Sequence, residues 1–521
     1  MLHYLGKSKI LFFCLMLTAK FLTAQLSFIQ TEQLWIKADE AFDNGDYFNA
    51  LKMYEQLNAK DSTSSELNYK MGACNFEIKS YRNKAKIYFD KVDLRKNNET
   101  NYYLGKLSHL HGDYEKAIFY FNQYNHSKKI NQHTIKEVDD LIAKSNTAIN
   151  FEATKNNTIK IENLGEKINT PYSEYAPLIA ISEDNLIFTA RRPNNLHVNK
   201  DPLDEYFEDV YLSKKINETW QLPILLDTTI NTPLHDGCTG LSADGKKILL
   251  YRTNADLKSG DIYESNLDST YVSTPVIINT QLNSKKYLET SACYSPDNNT
   301  VFFSSNRPGG YGGKDLYFMK KLPNGKWGLP FNLGPNINTE YNEDAPFIHP
   351  ADNVLFFCSE GHVNMGGYDI FKSNFNEEGQ FTIPENIGYP INTNDDDIFF
   401  VLNANATDGY FSSDRTGGFG LQDIYKVSFS DPLPLNVYHA IVVDENNEVL
   451  PKAEITLSDI DSHKIIGTYK TNTTSEKILI IAAPNKTYSI TVTAENYIPY
   501  QTTLFLNAAA NLRYQLNQRV K

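Results

Sequence analysis

A chain of 521 residues is too long for a single hydrophobic core, so about three domains are expected. It carries 50 basic and 63 acidic side chains, and its formal net charge of −13 would repel nucleic acid and anionic membrane surfaces on average. The 33 Tyr and 29 Phe, against 3 Trp, indicate many strands, because flat aromatic side chains suit half-buried sheet faces.

Residues 1–24 are predicted to be a secretory signal peptide. Lys7 and Lys9 precede a short apolar run, and the small residue Ala24 marks the cleavage site. The run is too short for a permanent membrane anchor. Lipidation of Cys14 is the less favoured alternative, because a bulky residue precedes it. The mature chain is therefore expected to be exported to the periplasm, in association with the outer membrane and without a transmembrane segment.

The four cysteines after this segment form neither a disulfide framework nor a zinc motif. They are predicted to be small buried residues, with a bridge between Cys238 and Cys293 as the alternative. No metal ion or cofactor is expected, because the sequence contains neither the spacing of a known metal-binding motif nor a complete phosphate-binding loop.

Residues 25–155 show a repeat of about 34 residues. Gly45-Asp46-Tyr47 recurs 67 residues later as Gly112-Asp113-Tyr114, and a weaker copy lies between them. In each copy a small residue is predicted where two helices approach closely: Ala38, Ala73 and Gly105. The stretch resembles three tetratricopeptide repeats with a capping helix. That resemblance implies a groove for a protein partner, and a plain helical spacer is the alternative.

Residues 158–430 contain a longer repeat. An Asp-apolar-aromatic motif recurs at steps of 52, 54, 54 and 54 residues, at Asp209, Asp261, Asp315, Asp369 and Asp423. An aromatic, strand-like run precedes each motif. Each unit thus has room for about four short strands, which is the content of a propeller blade.

A second series fixes the predicted number of blades at five. It reads Ile-Asn-Thr or Leu-Asn-Ser, with its asparagines at Asn169, Asn231, Asn283, Asn338 and Asn392. A strand-like segment, Thr158 to Leu164, stands before the first member at the same distance as the outer strands stand before later members, although no blade precedes it. The fifth blade lacks an outer strand of its own. This segment is therefore predicted to complete the fifth blade and to close the ring, which would hide exposed strand edges.

Residues 302–317 and 411–425 carry nearly the same motif, which resembles the TolB-type, WD40-like propeller repeat. Arg307 and Asp315 stand eight residues apart in the first copy, as do Arg415 and Asp423 in the second. Both are predicted to be structural ion pairs across a turn. The insertion 194–208 is expected to be an exposed loop.

An acidic residue follows each asparagine of the second series after about five positions: Glu174, Asp236, Glu289, Glu343 and Asp397. Five carboxylates around one mouth of a central channel would attract a cation or a basic peptide. They are therefore the candidate binding residues. The alternative is that each caps its own loop by accepting backbone N–H bonds.

Residues 433–521 show alternating strands at even spacing, which favours a β-sandwich. The stretch resembles the carboxypeptidase regulatory-like domain, with Asn496-Tyr497 where that family has Gly-Tyr. The order of the three modules resembles PorE-like envelope proteins of type IX-secreting Gram-negative bacteria. Those proteins continue into an OmpA-like domain, so peptidoglycan binding through such a domain is not expected for this sequence.

The predicted fold class is therefore multidomain α plus all-β: tetratricopeptide repeats, a five-bladed β-propeller and a C-terminal β-sandwich. The predicted function is a non-enzymatic scaffold that binds envelope or secreted proteins, in type IX secretion or envelope maintenance. A glycan- or peptidoglycan-binding propeller is the alternative. A glycan-processing enzyme is the least favoured, because the acids occupy repeat-equivalent positions and no hydrolase motif is present.

Overall fold

The computed structural model describes residues 29–515 apart from short internal segments. The positions that it does not describe are 1–28, 128–131, 180–182, 195, 197–199, 202–203, 244, 258, 269–270, 285, 297, 350–353, 375–380, 404–405, 431–435, 451, 461–464, 471–477, 483–485, 507–510 and 516–521. The predicted signal peptide and Cys14 therefore lie outside the described residues. The chain divides into two compact units, Met1–Ser145 and Asn146–Lys521.

Before position 154 the described residues form seven α-helices. They are α1 (29–43), α2 (Tyr47–Asn58), α3 (Ser65–Glu77), α4 (Ala85–Phe89), α5 (Glu99–Leu110), α6 (Tyr114–Asn125) and α7 (Ile135–Ala153). A 3-10 helix, Lys79–Lys84, leads into α4. None of the described helices is both long enough and apolar enough to cross a membrane.

The Gly-Asp-Tyr motif is a turn between helices. Gly45 and Gly112 both have φ near +77°, the left-handed conformation that glycine adopts without strain. Asp46 follows as the N-cap of α2, and its side chain accepts a hydrogen bond from the backbone N–H of Asn49 at 3.3 Å. The motif therefore ends one helix and starts the next.

The middle of the helical unit departs from a regular repeat. α4 has only five residues, and the 3-10 winding before it takes up the one-residue insertion between Tyr81 and Ala85. The predicted small residue Ala73 is completely buried, and its neighbour Gly72 also packs closely. A Cβ on Gly72 would stand 2.5 Å from the Phe89 ring, as one on Gly105 would from Phe121.

The second unit contains five antiparallel sheets in chain order. Sheet one has β2 (Ser173–Ile179), β3 (Asn185–Arg191), β4 (Asp209–Ile216), β5 (Thr219–Trp220) and β6 (Ile224–Leu225). Sheet two has β7 (Asp236–Leu241), β8 (Lys247–Thr253), β9 (Gly260–Asp268), β10 (Tyr271–Val272) and β11 (Val276–Ile277). Sheet three has β12 (Glu289–Tyr294), β13 (Thr300–Ser305), β14 (Asp315–Lys320) and β15 (Phe331–Asn332).

Sheets four and five complete the series. Sheet four has β16 (Glu343–Ile348), β17 (Val354–Ser359), β18 (Asp369–Asn374) and β19 (Glu385–Asn386). Sheet five has β20 (Asp397–Leu402), β21 (Asp408–Ser413), β22 (Asp423–Phe429) and, on its outer edge, β1 (Ile159–Asn163). The first and second strands are mostly buried, and every residue of β17 is buried.

The predicted pairing of segment 158–164 with the last blade is confirmed. β1 runs antiparallel to β22, with Ile159 opposite Phe429 and Asn163 opposite Tyr425. Ile159 and Ile161 pack against the apolar core shared by sheets four and five. The pairing covers an edge of β22 that would otherwise expose unpaired N–H and C=O groups.

Residues after position 435 form two further sheets. One has the order β26 (Ile478–Ala482), β23 (Asn436–Val443), β29 (Asn511–Gln515), with β23 and β29 parallel. The other has the order β25 (Ile465–Lys470), β24 (Glu454–Asp459), β27 (Lys486–Thr493), β28 (Tyr500–Leu506). Alternate residues of β27, from Tyr488 to Val492, enter a core common to both sheets.

The predicted fold class is wrong as a description of the chain. It placed tetratricopeptide repeats beside the β domains, whereas strands take up 37% and helices 22% of the described residues and no such repeat is shown. It also gave five like blades in a closed ring, and such a ring is not shown: sheets one and two have five strands and the others four. Sheets one and two gain their fifth strand from an additional two-residue segment, β5 and β10 respectively, which the recurring motifs did not mark, whereas the outer strands β6, β11, β15 and β19 recur with the motifs. The predicted boundaries at 155, 158, 430 and 433 stay predictions.

Candidate functional site

The predicted binding acids lie at one end of the five sheets, which we name the acid end. In each sheet the first and third strands begin there, because both run antiparallel to the second. Neighbouring sheets share this end through backbone bonds, such as Glu174 N–H to Gln422 O at 2.7 Å and Glu343 N–H to Lys314 O at 2.8 Å. The acid end is defined by Glu174, Asp236, Glu289, Glu343 and Asp397.

The asparagines of the second series tie each loop to the third strand of the preceding blade. Asn231 accepts from the backbone N–H of Val210 at 2.7 Å and donates to the Val210 carbonyl at 3.1 Å. The same two-way bond recurs for Asn169 on Ile424, Asn283 on Ile262, Asn338 on Leu316 and Asn392 on Ile370. The recurring asparagine therefore has a structural cause.

The five acids are almost completely buried, at 0–1% exposure, and each holds its own loop. Glu174 accepts from Thr170 N–H at 2.8 Å and from its hydroxyl at 2.6 Å. Glu343 does the same with Thr339, at 2.8 and 2.7 Å. These are the bonds of the capping alternative. Ligand binding by the five carboxylates stays a prediction.

The arginines of the repeat pair with these buried acids. Arg307 Nη2 lies 3.2 Å from Glu289, and Arg415 Nη2 lies 2.8 Å from Asp397. The predicted pairs with Asp315 and Asp423 are therefore wrong. Asp315 instead accepts from backbone N–H groups of its own glycine-rich loop, and Asp423 does likewise. Equal spacing along the chain could not tell which acid the arginine reaches.

Sheet four has no arginine at this position, and His362 takes part of its role. The His362 ring bonds through Nε2 to the carbonyl of Ile337 at 2.9 Å. In sheets two, three and five an arginine reaches the equivalent carbonyl, as Arg415 reaches Ile391 at 2.6 Å. Glu343 then relies on hydroxyls, including Ser359 at 2.7 Å.

Burial raises the pKa of Glu174 to about 7, although the Thr170 bonds and Arg192 oppose the rise. Arg192 stands 3.8 Å away, too far for a close pair. Burial also raises the pKa of Glu289, Glu343 and Asp397. A carboxyl with a folded pKa above its unfolded value takes up a proton on folding.

Glu174 is therefore expected to make stability depend on pH. Its contribution is fully present below about pH 4.5, its unfolded pKa, and is lost as pH rises through about 7. Urea denaturation of the full chain at pH 5 and pH 8 measures this change. The variant Glu174→Gln should show a smaller difference between the two pH values. An unchanged difference would assign the dependence to other groups.

The residue that directly follows each acid differs from sheet to sheet, unlike the acid itself. The residues there are Tyr175, Gly237, Thr290, Asp344 and Ile398. No two are alike. Repeat-equivalent residues serve the scaffold, so a specific site is better sought among residues that differ from blade to blade.

Asp344 is the centre of one such cluster. It is buried, accepts from the Thr290 hydroxyl at 2.9 Å, and pairs with the Ser291 hydroxyl and the Lys314 ammonium. Burial alone would raise its pKa, but Lys314 and the hydroxyl donors lower it below the usual range. Asp344 is therefore a fixed negative charge. Asp344 was not among the binding residues predicted from the sequence.

A second cluster lies at the start of β4 and at the end of the predicted exposed loop. Arg191 donates to Glu208 at 3.0 and 3.2 Å and also pairs with Glu205. Glu208 in turn accepts from the Tyr175 hydroxyl. The side chains of Arg191 and Glu205 are 25% and 36% exposed, so this pair can reach solvent.

Aromatic side chains stand beside that pair. Tyr172 is 37% exposed and Phe419 is 49% exposed. Leu421 N–H donates to the Tyr172 carbonyl at 2.9 Å, which fixes the two loops side by side. The Tyr172 ring meets the Tyr206 ring edge-on, with centroids 5.4 Å apart. We name Tyr172, Tyr206 and Phe419 the aromatic platform.

This unit contains two other features that could form sites, an acidic cluster and an apolar cavity. Among the described residues, Asp395, Asp396 and Asp414 can bring carboxylate oxygens within 4.8 Å of one another, but a half-buried acidic cluster alone does not define a metal site. An apolar cavity of about 80 Å³ is lined by first-strand residues of all five sheets, such as Leu178 and Phe347. None of the five acids lines it.

The four described cysteines are buried and unbridged, as predicted. Burial raises the pKa of Cys238 and Cys293 to about 12, so neither thiol is ionised near neutral pH.

No family model matches the sequence, and no curated protein matches it. Among solved structures, an endo-arabinase from Bacteroides thetaiotaomicron is 12% identical with a TM-score of 0.34, covering 51% of this chain and 98% of the enzyme. An α-L-arabinanase from Penicillium chrysogenum is 12% identical with a TM-score of 0.31, covering 51% and 98%. A thermostable family-43 glycoside hydrolase is 12% identical with a TM-score of 0.34, covering 51% and 94%.

These similar structures are propeller-type glycoside hydrolases. The prediction that the chain is not an enzyme is contradicted by this comparison, which at 12% identity and TM-scores of 0.31 to 0.34 assigns no activity to this chain. At 12% sequence identity, the substrates of these enzymes are not assigned to this chain.

Proposed function

We propose that the second unit binds a carbohydrate at the acid end, on the aromatic platform and the adjacent Arg191–Glu205 pair. Exposed aromatic rings offer flat apolar faces to the C–H faces of a sugar ring. A guanidinium and a carboxylate that both reach solvent can hydrogen-bond its hydroxyl groups and fix its orientation. The observation that carries the proposal is that the loops of the exposed residues Tyr172 and Phe419 lie side by side, near a partly exposed ion pair.

Carbohydrate binding is favoured over the predicted protein-binding scaffold by the composition of this surface. The exposed aromatics Tyr172 and Phe419 lie on neighbouring loops near charged groups, whereas the core of a protein interface is depleted of charge. We propose that this carbohydrate binding takes place in the bacterial envelope, because the sequence predicts a signal peptide and resembles PorE-like envelope proteins.

Affinity electrophoresis in gels that contain soluble polysaccharides, with co-sedimentation on insoluble peptidoglycan, tests the proposal. The unmodified chain should be retarded by at least one polysaccharide or sediment with peptidoglycan. Phe419→Ser and Tyr172→Ser should each weaken that binding about tenfold, since a central aromatic anchor carries much of the affinity.

The matched control is Phe331→Ser, which removes an equally exposed aromatic residue from the outer strand β15. It should bind like the unmodified chain. Reducing-sugar release in the same samples reports whether bound polysaccharide is cleaved. The proposal fails if no polysaccharide or peptidoglycan is bound, or if the control loses as much affinity as the platform variants.

A further inference from the structure

A second concave surface lies on the outer edge of sheet three, away from the acid end residues. It is a groove of about 640 Å³, which is within the size range of ligand sites. Its walls are formed mainly by Phe318, Lys320, Leu322, Trp327, Leu329 and Phe331. Leu329 and Phe331 are 62% and 58% exposed, which is unusual for such large apolar side chains.

The walls of the groove are held in place before any partner arrives. Phe318 stacks on Phe331 with centroids 5.7 Å apart, and Trp327 stacks on Tyr294 at 6.3 Å. A tight turn closes the hairpin, since Leu322 N–H donates to Lys326 O at 2.7 Å. A preformed groove loses little conformational entropy on binding.

The charge of this hairpin is opposite to that of the chain. Residues 318–334 contain Lys320, Lys321 and Lys326 and no acidic residue, whereas the whole chain has a net charge of −13. Lys320 lines the groove, with its ammonium 5.6 Å from the Phe318 ring centroid. Within the described part of the chain, no carboxylate lies within ion-pair distance of Lys320.

We propose that this groove binds a protein segment in which an acidic residue stands next to an aromatic or aliphatic one. The apolar side chain enters the groove between Phe318 and Leu329, and the carboxylate pairs with Lys320. The pairing supplies orientation and specificity, and the buried apolar anchor supplies most of the affinity.

Other occupants fit less well. A sugar needs several hydrogen-bonding partners, and only Lys320 and Gln281 bring polar side chains to these walls. A flat anionic membrane surface would meet a protruding apolar ridge better than a concave groove. An acidic, apolar peptide matches both the shape and the charge.

Fluorescence anisotropy with the full chain tests the proposal. The probe is a labelled synthetic peptide in which Glu alternates with Phe and Leu, and the comparison peptide has Gln in place of each Glu. The Glu peptide should bind saturably, and about tenfold more tightly than the Gln peptide. Phe331→Ser and Lys320→Glu should each weaken its binding about tenfold.

The matched control is Ile224→Ser. Ile224 follows a Leu-Pro pair at the start of an outer two-residue strand, as Phe331 does, and it is equally exposed. It should leave peptide binding unchanged, and circular dichroism should report the same fold in all variants. Equal binding by the variants, no saturable peptide binding, or retention on phosphatidylglycerol vesicles in place of the peptide would each overturn the proposal.

Discussion

Replacing Arg415 with alanine is expected to lower the free energy of unfolding of the second unit by about 3–5 kcal/mol. Its guanidinium lies 2.8 Å from the carboxylate of Asp397, which is completely buried. It also donates to the Ile391 carbonyl at 2.6 Å and the Ser413 hydroxyl at 2.8 Å. The substitution would leave a buried carboxylate without its counter-charge, which costs more than the ion pair itself contributes.

Urea denaturation followed by the fluorescence of Trp220 and Trp327 measures this loss. The control is Arg95→Ala, because Arg95 is almost fully exposed although it also pairs with an aspartate, Asp93. Surface pairs of this kind contribute little. The double variant Arg415→Ala with Asp397→Asn should recover part of the stability. A midpoint for Arg415→Ala equal to that of the control would contradict the buried-pair account.

Replacing Asn169 with alanine is expected to cost about 2–4 kcal/mol. Its side chain accepts from the backbone N–H of Ile424 and donates to the Ile424 carbonyl, both at 2.9 Å, and it is 1% exposed. These bonds join residues 255 positions apart, so they hold the beginning of the sheet series to its end. Without them, the buried Ile424 N–H loses its acceptor, and the Ile424 carbonyl keeps the bond from the Leu164 N–H at 3.2 Å.

Hydrogen exchange read by mass spectrometry locates this effect. Exchange should accelerate in β1 and β22, because Asn169 also donates to the Asn163 side chain of β1 at 2.8 Å and β1 pairs with β22. The control Asn49→Ala removes an exposed asparagine that bonds only to Asp46 within its own helix turn. Faster exchange confined to the helical unit, or none at all, would show that Asn169 does not secure this junction.

Much of the scaffold was predictable from the recurrence of short motifs. The Ile-Asn-Thr series and the acids after it were found from spacing alone, and each has a repeated hydrogen-bonding role. The pairing of β1 with β22 was predicted because a segment in phase with the repeat preceded the first unit. Repeated residues mark repeated backbone hydrogen bonds, because each sheet has the same buried N–H and C=O groups in its loops and strands to pair.

The candidate site was predicted far less well. The five acids were selected for their regularity, and they proved to be almost completely buried. Asp344 and the Arg191–Glu208 cluster were missed because they occur once. The one available signal was that the residue after each acid differs from sheet to sheet, as Tyr175 and Asp344 do.

The sequence by itself determined where strands recur, which asparagine and acid secure each loop, and which segment pairs with the last sheet, because these are local or periodic requirements. Only the tertiary structure decided that Arg307 pairs with Glu289 rather than Asp315, and that Tyr172 and Phe419 stand together. Those contacts join residues far apart in the chain, and their distance and burial depend on how neighbouring sheets pack.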